Sequence, residues 1–161
     1  MSAPDALIPL LGQPSQRNID TFETLERKWG VAFPREYVEF GRSYGDSTIS
    51  EFIFVCGPKT LESYAERMSS RMERNPFVPR DFLPTKDGML LWGNTVEGDQ
   101  LFLVDRGNSE WNVAAFRRNW SDWYESELTL VEWLHLALTG QIASDWLPEW
   151  PKHHTLSPME D

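Results

Sequence analysis

Cysteine is almost missing from this chain: Cys56 is the only one in 161 residues, so no internal disulfide can form. It closes the apolar run Phe52 to Val55 and reads as a small buried hydrophobe rather than a nucleophile. Histidine is scarce as well. His135 falls in a helical pattern and His153 and His154 in the tail, none with a cysteine, histidine or carboxylate at ligand spacing. Neither a zinc cluster nor a histidine-based catalytic unit is therefore expected. Gly41, Gly45, Gly88, Gly93 and Gly98 match no phosphate-binding loop and no dinucleotide fingerprint. No apolar run approaches the roughly 20 residues of a membrane-spanning helix, and no stretch has the basic start, apolar middle and small-residue cleavage site of a signal peptide. The expectation is a soluble cytoplasmic protein without enzyme activity, cofactor or metal.

Positive charge is also in short supply. Lysine and arginine number 15 against 25 acidic residues, net −10, which argues against a nucleic-acid partner because phosphate recognition depends on basic side chains displacing counterions. Residues 1–84 hold 12 acidic and 10 basic side chains, net −2; residues 85–161 hold 13 and 5, net −8. Such a field speeds the arrival of a basic partner, or serves solubility alone, and the sequence leaves both open. Eight tryptophans, nine phenylalanines and 40% apolar residues are the composition of a folded globule. Its length suits one domain.

The stretch from Gly88 to Arg117 organises the chain. Met89–Trp92, bounded by Gly88 and Gly93, reads as a buried strand, as does Gln100–Val104, closed by the turn residues Asp105, Arg106, Gly107 and Asn108. Trp111–Phe116 makes a third. Spacings this short predict an antiparallel meander, since a parallel return needs a crossover of a dozen or more residues. Residues 1–17, with three prolines, read as an arm ordered only where Leu7, Ile8, Leu10 and Leu11 meet apolar surface. A helix capped by Asn18 or Asp20 presents Ile19, Phe22, Leu25 and Trp29 on one face and ends at Gly30. A second, with Pro34 in its first turn, presents Tyr37, Phe40 and Tyr44 up to Gly45.

Ile49–Cys56 suits one strand entering the sheet. A third helix then spans about Thr60 to Asn75 with Leu61, Tyr64, Ala65, Met68 and Met72 inward, and Pro76 stops it. After the meander, Thr129 and Glu132 form a capping-box pair for a last helix with Leu130, Leu134, Ala137 and Leu138 inward. The fold class is α+β: a single domain, residues 18–141, whose antiparallel meander sheet packs with N-terminal helices and a C-terminal helix. Residues 142–161 form a tail packed on it and fraying at its end.

This order, with four particular stretches, resembles the SUKH superfamily, also called the SMI/KNR-type immunity and cell-wall-regulator fold. The stretches are Thr24-Leu25-Glu26 leading to Trp29-Gly30; Phe33-Pro34-Arg35-Glu36-Tyr37 through Phe40 to Tyr44-Gly45; Leu91-Trp92-Gly93 with Gly98-Asp99 and a strand ending at Asp105; and Thr129-Leu130-Val131-Glu132-Trp133-Leu134. The resemblance spans roughly Ile19 to Gly140. It implies a non-enzymatic domain that acts as an immunity protein, neutralising a nucleic-acid-directed toxin by binding it; the alternative is an intracellular interaction adaptor of the same fold. The implied partner is a basic toxin domain rather than nucleic acid or membrane, and the oligomeric state stays open. Acidic and aromatic residues after position 85 are the candidate contacts: Glu97, Asp99, Asp105, Glu110, Trp111, Asp122, Trp123, Glu125 and Glu127. Trp120, Trp123, Trp133, Trp146 and Trp150 serve either as interface anchors or as core packing, and both readings stand.

Overall fold

The computed structural model describes residues 3–14, 21–107 and 110–158, so the expected caps Asn18 and Asp20, the stripe residue Ile19 and the turn residue Asn108 lie outside the described residues. In chain order the helices are α1 (Ala3–Leu11), α2 (Glu23–Trp29), α3 (Arg35–Tyr44), α4 (Leu61–Met72) and α5 (Leu130–Leu138). The strands are β1 (Ser47–Ile49), β2 (Ile53–Val55), β3 (Leu90–Thr95), β4 (Gln100–Asp105), β5 (Trp111–Arg117), β6 (Asp122–Glu125) and β7 (Leu156–Pro158). They form one antiparallel sheet in the order β6-β5-β4-β3-β2-β1-β7. The architecture is α+β, and no helix among the described residues is long and apolar enough to cross a membrane.

The amphipathic stripes become the core. Phe22, Phe33 and Tyr37 meet edge to face or tilted at 5.2–6.4 Å, joining α2 to α3, and Glu26 Oε2 accepts the Phe33 N–H at 2.9 Å to tie the connection. Gly30 ends α2 at φ +67°, the left-handed position glycine occupies without a side-chain clash. The capping box of α5 is formed in full: Thr129 Oγ1 accepts from the Glu132 N–H, and Glu132 Oε1 accepts from the Thr129 N–H.

Alternation along the strands divides the sheet into two covered faces. Phe54, Gln100, Phe102, Phe116 and Trp123 point toward α4 and the connection after it: Tyr64 Oη donates to Gln100 Oε1 at 2.6 Å, and Phe82 packs on Phe102 at 5.5 Å. The other face carries Trp92 and Tyr124, which meet Trp133 of α5: the indoles of Trp92 and Trp133 cross at 6.0 Å, and Trp133 Nε1 donates to Tyr124 Oη at 3.2 Å. Helices α1 and α3 pack beside α5.

Four local expectations change. Residues 3–11 are not an arm but a helix, because Leu7 and Leu11, both buried, find the surface of α3 and α5. The single strand over Ile49–Cys56 is a hairpin, reversed at Ser50 and Glu51, whose φ values of +49° and +59° no glycine announces. Gly93 does not end its strand but lies within β3, where a Cβ would stand 2.4 Å from the Phe54 carbonyl oxygen of β2. The meander gains a fourth strand, β6, and the tail returns to add β7 beside β1.

Candidate protein-binding cleft

The nine expected contact residues do not make one patch. Asp99 and Asp105 lie at opposite ends of β4, six residues and about 20 Å apart. Glu110 and Trp111 join Asp105 at the far end, where they line a hollow of about 270 Å³ with Pro34, Tyr37 and Leu130. Glu127 follows β6 at that same end, exposed. Asp122 and Glu125, three residues apart on a strand, point to opposite faces of the sheet.

Several of these carboxylates belong to the fold. Asp99 is 3% exposed; its Oδ2 accepts the Thr95 hydroxyl at 2.6 Å, and its Oδ1 accepts the Arg118 N–H at 2.9 Å. It is a strut between the β3–β4 turn and the short 3₁₀ turn Arg118–Trp120. Asp122 is gripped by Arg117, whose Nε donates to Oδ1 at 2.7 Å, and that hydrogen bond holds the Asp122 carboxyl below its ordinary range. Glu125 is pushed up by burial, but hydrogen bonds from Trp123, Arg80 and Arg106 outweigh that and leave it lowered. Trp123 itself is half-buried against Phe102 at 5.5 Å.

Glu97 stands exposed at the other end of the sheet. On the β3–β4 turn Val96, next to it, is 65% exposed, and Trp120, which follows Asn119 whose Nδ2 donates to Glu97 Oε2 at 3.4 Å, is 49% exposed. Between this turn and the segment Asp145–Pro148 opens a cleft of about 290 Å³, lined by Phe52, Glu97, Asp99, Trp120, Asp145 and Trp146 among others. Its parts are fixed from behind. The Arg117 guanidinium lies 4.3 Å from the centre of the Trp120 ring while paired with Asp122 and, at 3.6 Å, with Asp145. Trp146 packs on Trp133 at 6.1 Å and on Tyr124 at 5.7 Å, and Leu147 is buried. The sequence leaves Trp120 open between anchor and core and does not mark Val96 or Asp145; the signal for Trp120 is its neighbourhood of short polar residues, Asn119 and Ser121, rather than an apolar stripe.

The remaining tryptophans are structural. Trp92 and Trp133 are fully buried, and Trp150 donates its Nε1 to the Ala137 carbonyl at 2.8 Å while meeting the His154 ring edge to face at 5.2 Å. His154 bridges Ser50 Oγ at 2.7 Å and the Leu138 carbonyl at 2.8 Å, clamping the tail to the body. His135 is exposed on α5. Cys56 is buried, and desolvation drives its thiol far above the ordinary range.

The two-faced antiparallel sheet, the helix pair ending at Gly30 and Gly45, and the capped last helix agree with what the four sequence stretches imply. A family model described as SUKH_6, SMI1-KNR4 cell-wall, matches residues 19–130, more than two thirds of the chain, and the chain belongs to that family. No curated protein and no solved structure matches it. The match covers one wall of the cleft, with Glu97 and Trp120, while the other wall, Asp145–Pro148, lies beyond it.

Proposed function

We propose that this chain is a non-catalytic binding domain that acts as an immunity protein, neutralising a basic, nucleic-acid-directed protein toxin by direct contact. One observation carries the reading: the half-exposed Trp120 lines a cleft together with Glu97 and Asp145, in a protein of net charge −10. A half-exposed aromatic beside exposed carboxylates suits an interaction site, because the ring supplies contact area at low entropic cost and the carboxylates attract basic groups of a partner. Membership of the SUKH family is consistent with such a role.

The test is co-expression with the product of the adjacent gene. A stoichiometric complex, together with loss of that protein's toxicity, is expected. Undiminished toxicity with no complex overturns the reading. The cell-wall wording of the family's description supports one alternative, a regulatory adaptor using the same face. An adaptor forms its complex without silencing a toxic activity.

A further inference from the structure

We propose that the cleft between the β3–β4 turn and residues 145–148 is an arginine-accepting subsite, taking one guanidinium from an exposed loop of the partner. The inference rests on the reading of the chain as a protein-binding domain and specifies which chemistry its surface recognises. Three observations point there. First, the Trp120 ring is half-exposed and lines the cleft, yet its position is set by Arg117 at 4.3 Å and by the backbone strut from Asp99 to the Arg118 N–H at 2.9 Å. A ring held in place loses little freedom on binding, and indole is the best side-chain acceptor of a cation over its face. Second, the carboxylates of Glu97 and Asp145 stand on opposite walls, with the Asp145 side chain 58% exposed and only loosely paired with Arg117 at 3.6 Å. A planar guanidinium can stack on the ring and still donate to a carboxylate through its in-plane N–H groups, whereas a lysine ammonium is a compact, strongly hydrated point charge. The chain displays the same chemistry internally, since its own Arg117 combines ring stacking with donation to Asp122 and Asp145.

Third, the volume and composition fit. About 290 Å³ accommodates the end of an arginine side chain, and Phe52, Trp146 and Pro148 offer apolar contact for its methylene stem. Asp145 and Trp146 lie outside the stretch 19–130 matched to the family, and selectivity for a particular arginine-bearing loop would reside in this wall.

The experiment uses the full chain and three capped probes, N-acetyl-arginine methylamide, its lysine counterpart and the neutral isostere citrulline, followed by the Trp120 indole N–H resonance. Saturable shifts centred on Trp120, Glu97 and Asp145 are expected for arginine, with citrulline binding at least tenfold more weakly and lysine in between. Glu97→Gln should weaken the arginine response several-fold, and Trp120→Ala should abolish it. Should Trp120→Ala fail to fold, Trp120→Leu together with Glu97→Gln carries the same comparison, both checked by thermal melting. Equal response to arginine and citrulline overturns the subsite, as do shifts centred on the hollow at Glu110 and Trp111, or concentration-dependent self-association that Trp120→Ala removes. With the neighbouring gene's product, Glu97→Gln should raise Kd about tenfold. A complex indifferent to both substitutions sinks the subsite while leaving the immunity reading intact; probe binding without any complex sinks that reading while leaving the subsite intact.

Discussion

Asp99→Ala is the most discriminating perturbation of the fold, because the same residue would be a partner contact if exposed and is a strut in the structure. Its carboxylate takes two donors, the Thr95 hydroxyl at 2.6 Å and the Arg118 N–H at 2.9 Å. Hydrogen bonds to a charged acceptor contribute about 1.5–3 kcal/mol each, and a buried donor left without a partner costs about 1–3 kcal/mol. Thr95 is 3% exposed and gains no water in exchange, whereas Arg118 is exposed and its N–H is partly compensated by solvent. The loss should therefore be about 2–4 kcal/mol. For a chain of this size that lowers Tm by about 5–15 °C, at roughly 2–4 °C per kcal/mol. Asp99→Asn keeps an acceptor for Arg118 and can donate to Thr95, so it should cost about half as much. Glu97→Gln, two residues away and exposed, should stay within about 0.5 kcal/mol. Urea denaturation of the three variants measures the series. Equal stabilities for Asp99→Ala and Glu97→Gln would refute the strut, and with it the fixed placement of Trp120.

Trp133→Ala should cost about 3–5 kcal/mol in urea denaturation, since it empties the space between Trp92 and Trp146; a loss below about 1 kcal/mol would mean that the junction of α5 with the sheet is wrongly placed. Cys56 should react with a thiol reagent only at the rate of unfolding, because burial both hides the sulfur and disfavours the thiolate; a rapid phase in native protein contradicts this. Asp122 and Glu125 have carboxyls lowered in the folded state, so what they contribute is present above their unfolded pKa values of about 3.9 and 4.3 and lost as pH falls through the folded ones. Stability should drop below about pH 4, and Arg117→Ala should flatten the part due to Asp122; an unchanged acid limb counts against the pairing. Association with a basic partner should slow as salt rises, with dissociation little altered, because screening over about 8 Å removes steering while leaving close contacts. An on-rate indifferent to salt would make the acidic excess a solubility feature.

What the sequence determined by itself was whatever depends on neighbours along the chain. The stripes Phe22–Leu25–Trp29 and Tyr37–Phe40–Tyr44, the stop at Gly30, the Thr129–Glu132 capping box and the antiparallel meander all rest on contacts within a few residues, where side-chain period and φ preference act directly. Those local patterns lie within the stretch 19–130 that matches the family, apart from α5 beyond Leu130.

Only the tertiary structure decided what each charge and each odd residue is for. The run Asp122, Glu125, Glu127 looks like one acidic segment, yet strand geometry sends the first two to opposite faces, where Arg117 takes one and Arg80 and Arg106 take the other. Those basic partners of Glu125 are 45 and 19 positions away in the chain, so no window of sequence contains both ends of the network. Gly93 looks like punctuation but serves the approach of β2, and the N-terminal leucines look like an arm until α3 and α5 supply a surface for them. Glu97 and Asp99 sit two residues apart with similar side chains, and only the path of the chain through Arg118 makes one exposed and the other a strut. A carboxylate's role depends on which donors reach it and how much water remains, and both are set by the non-local packing of strands and turns.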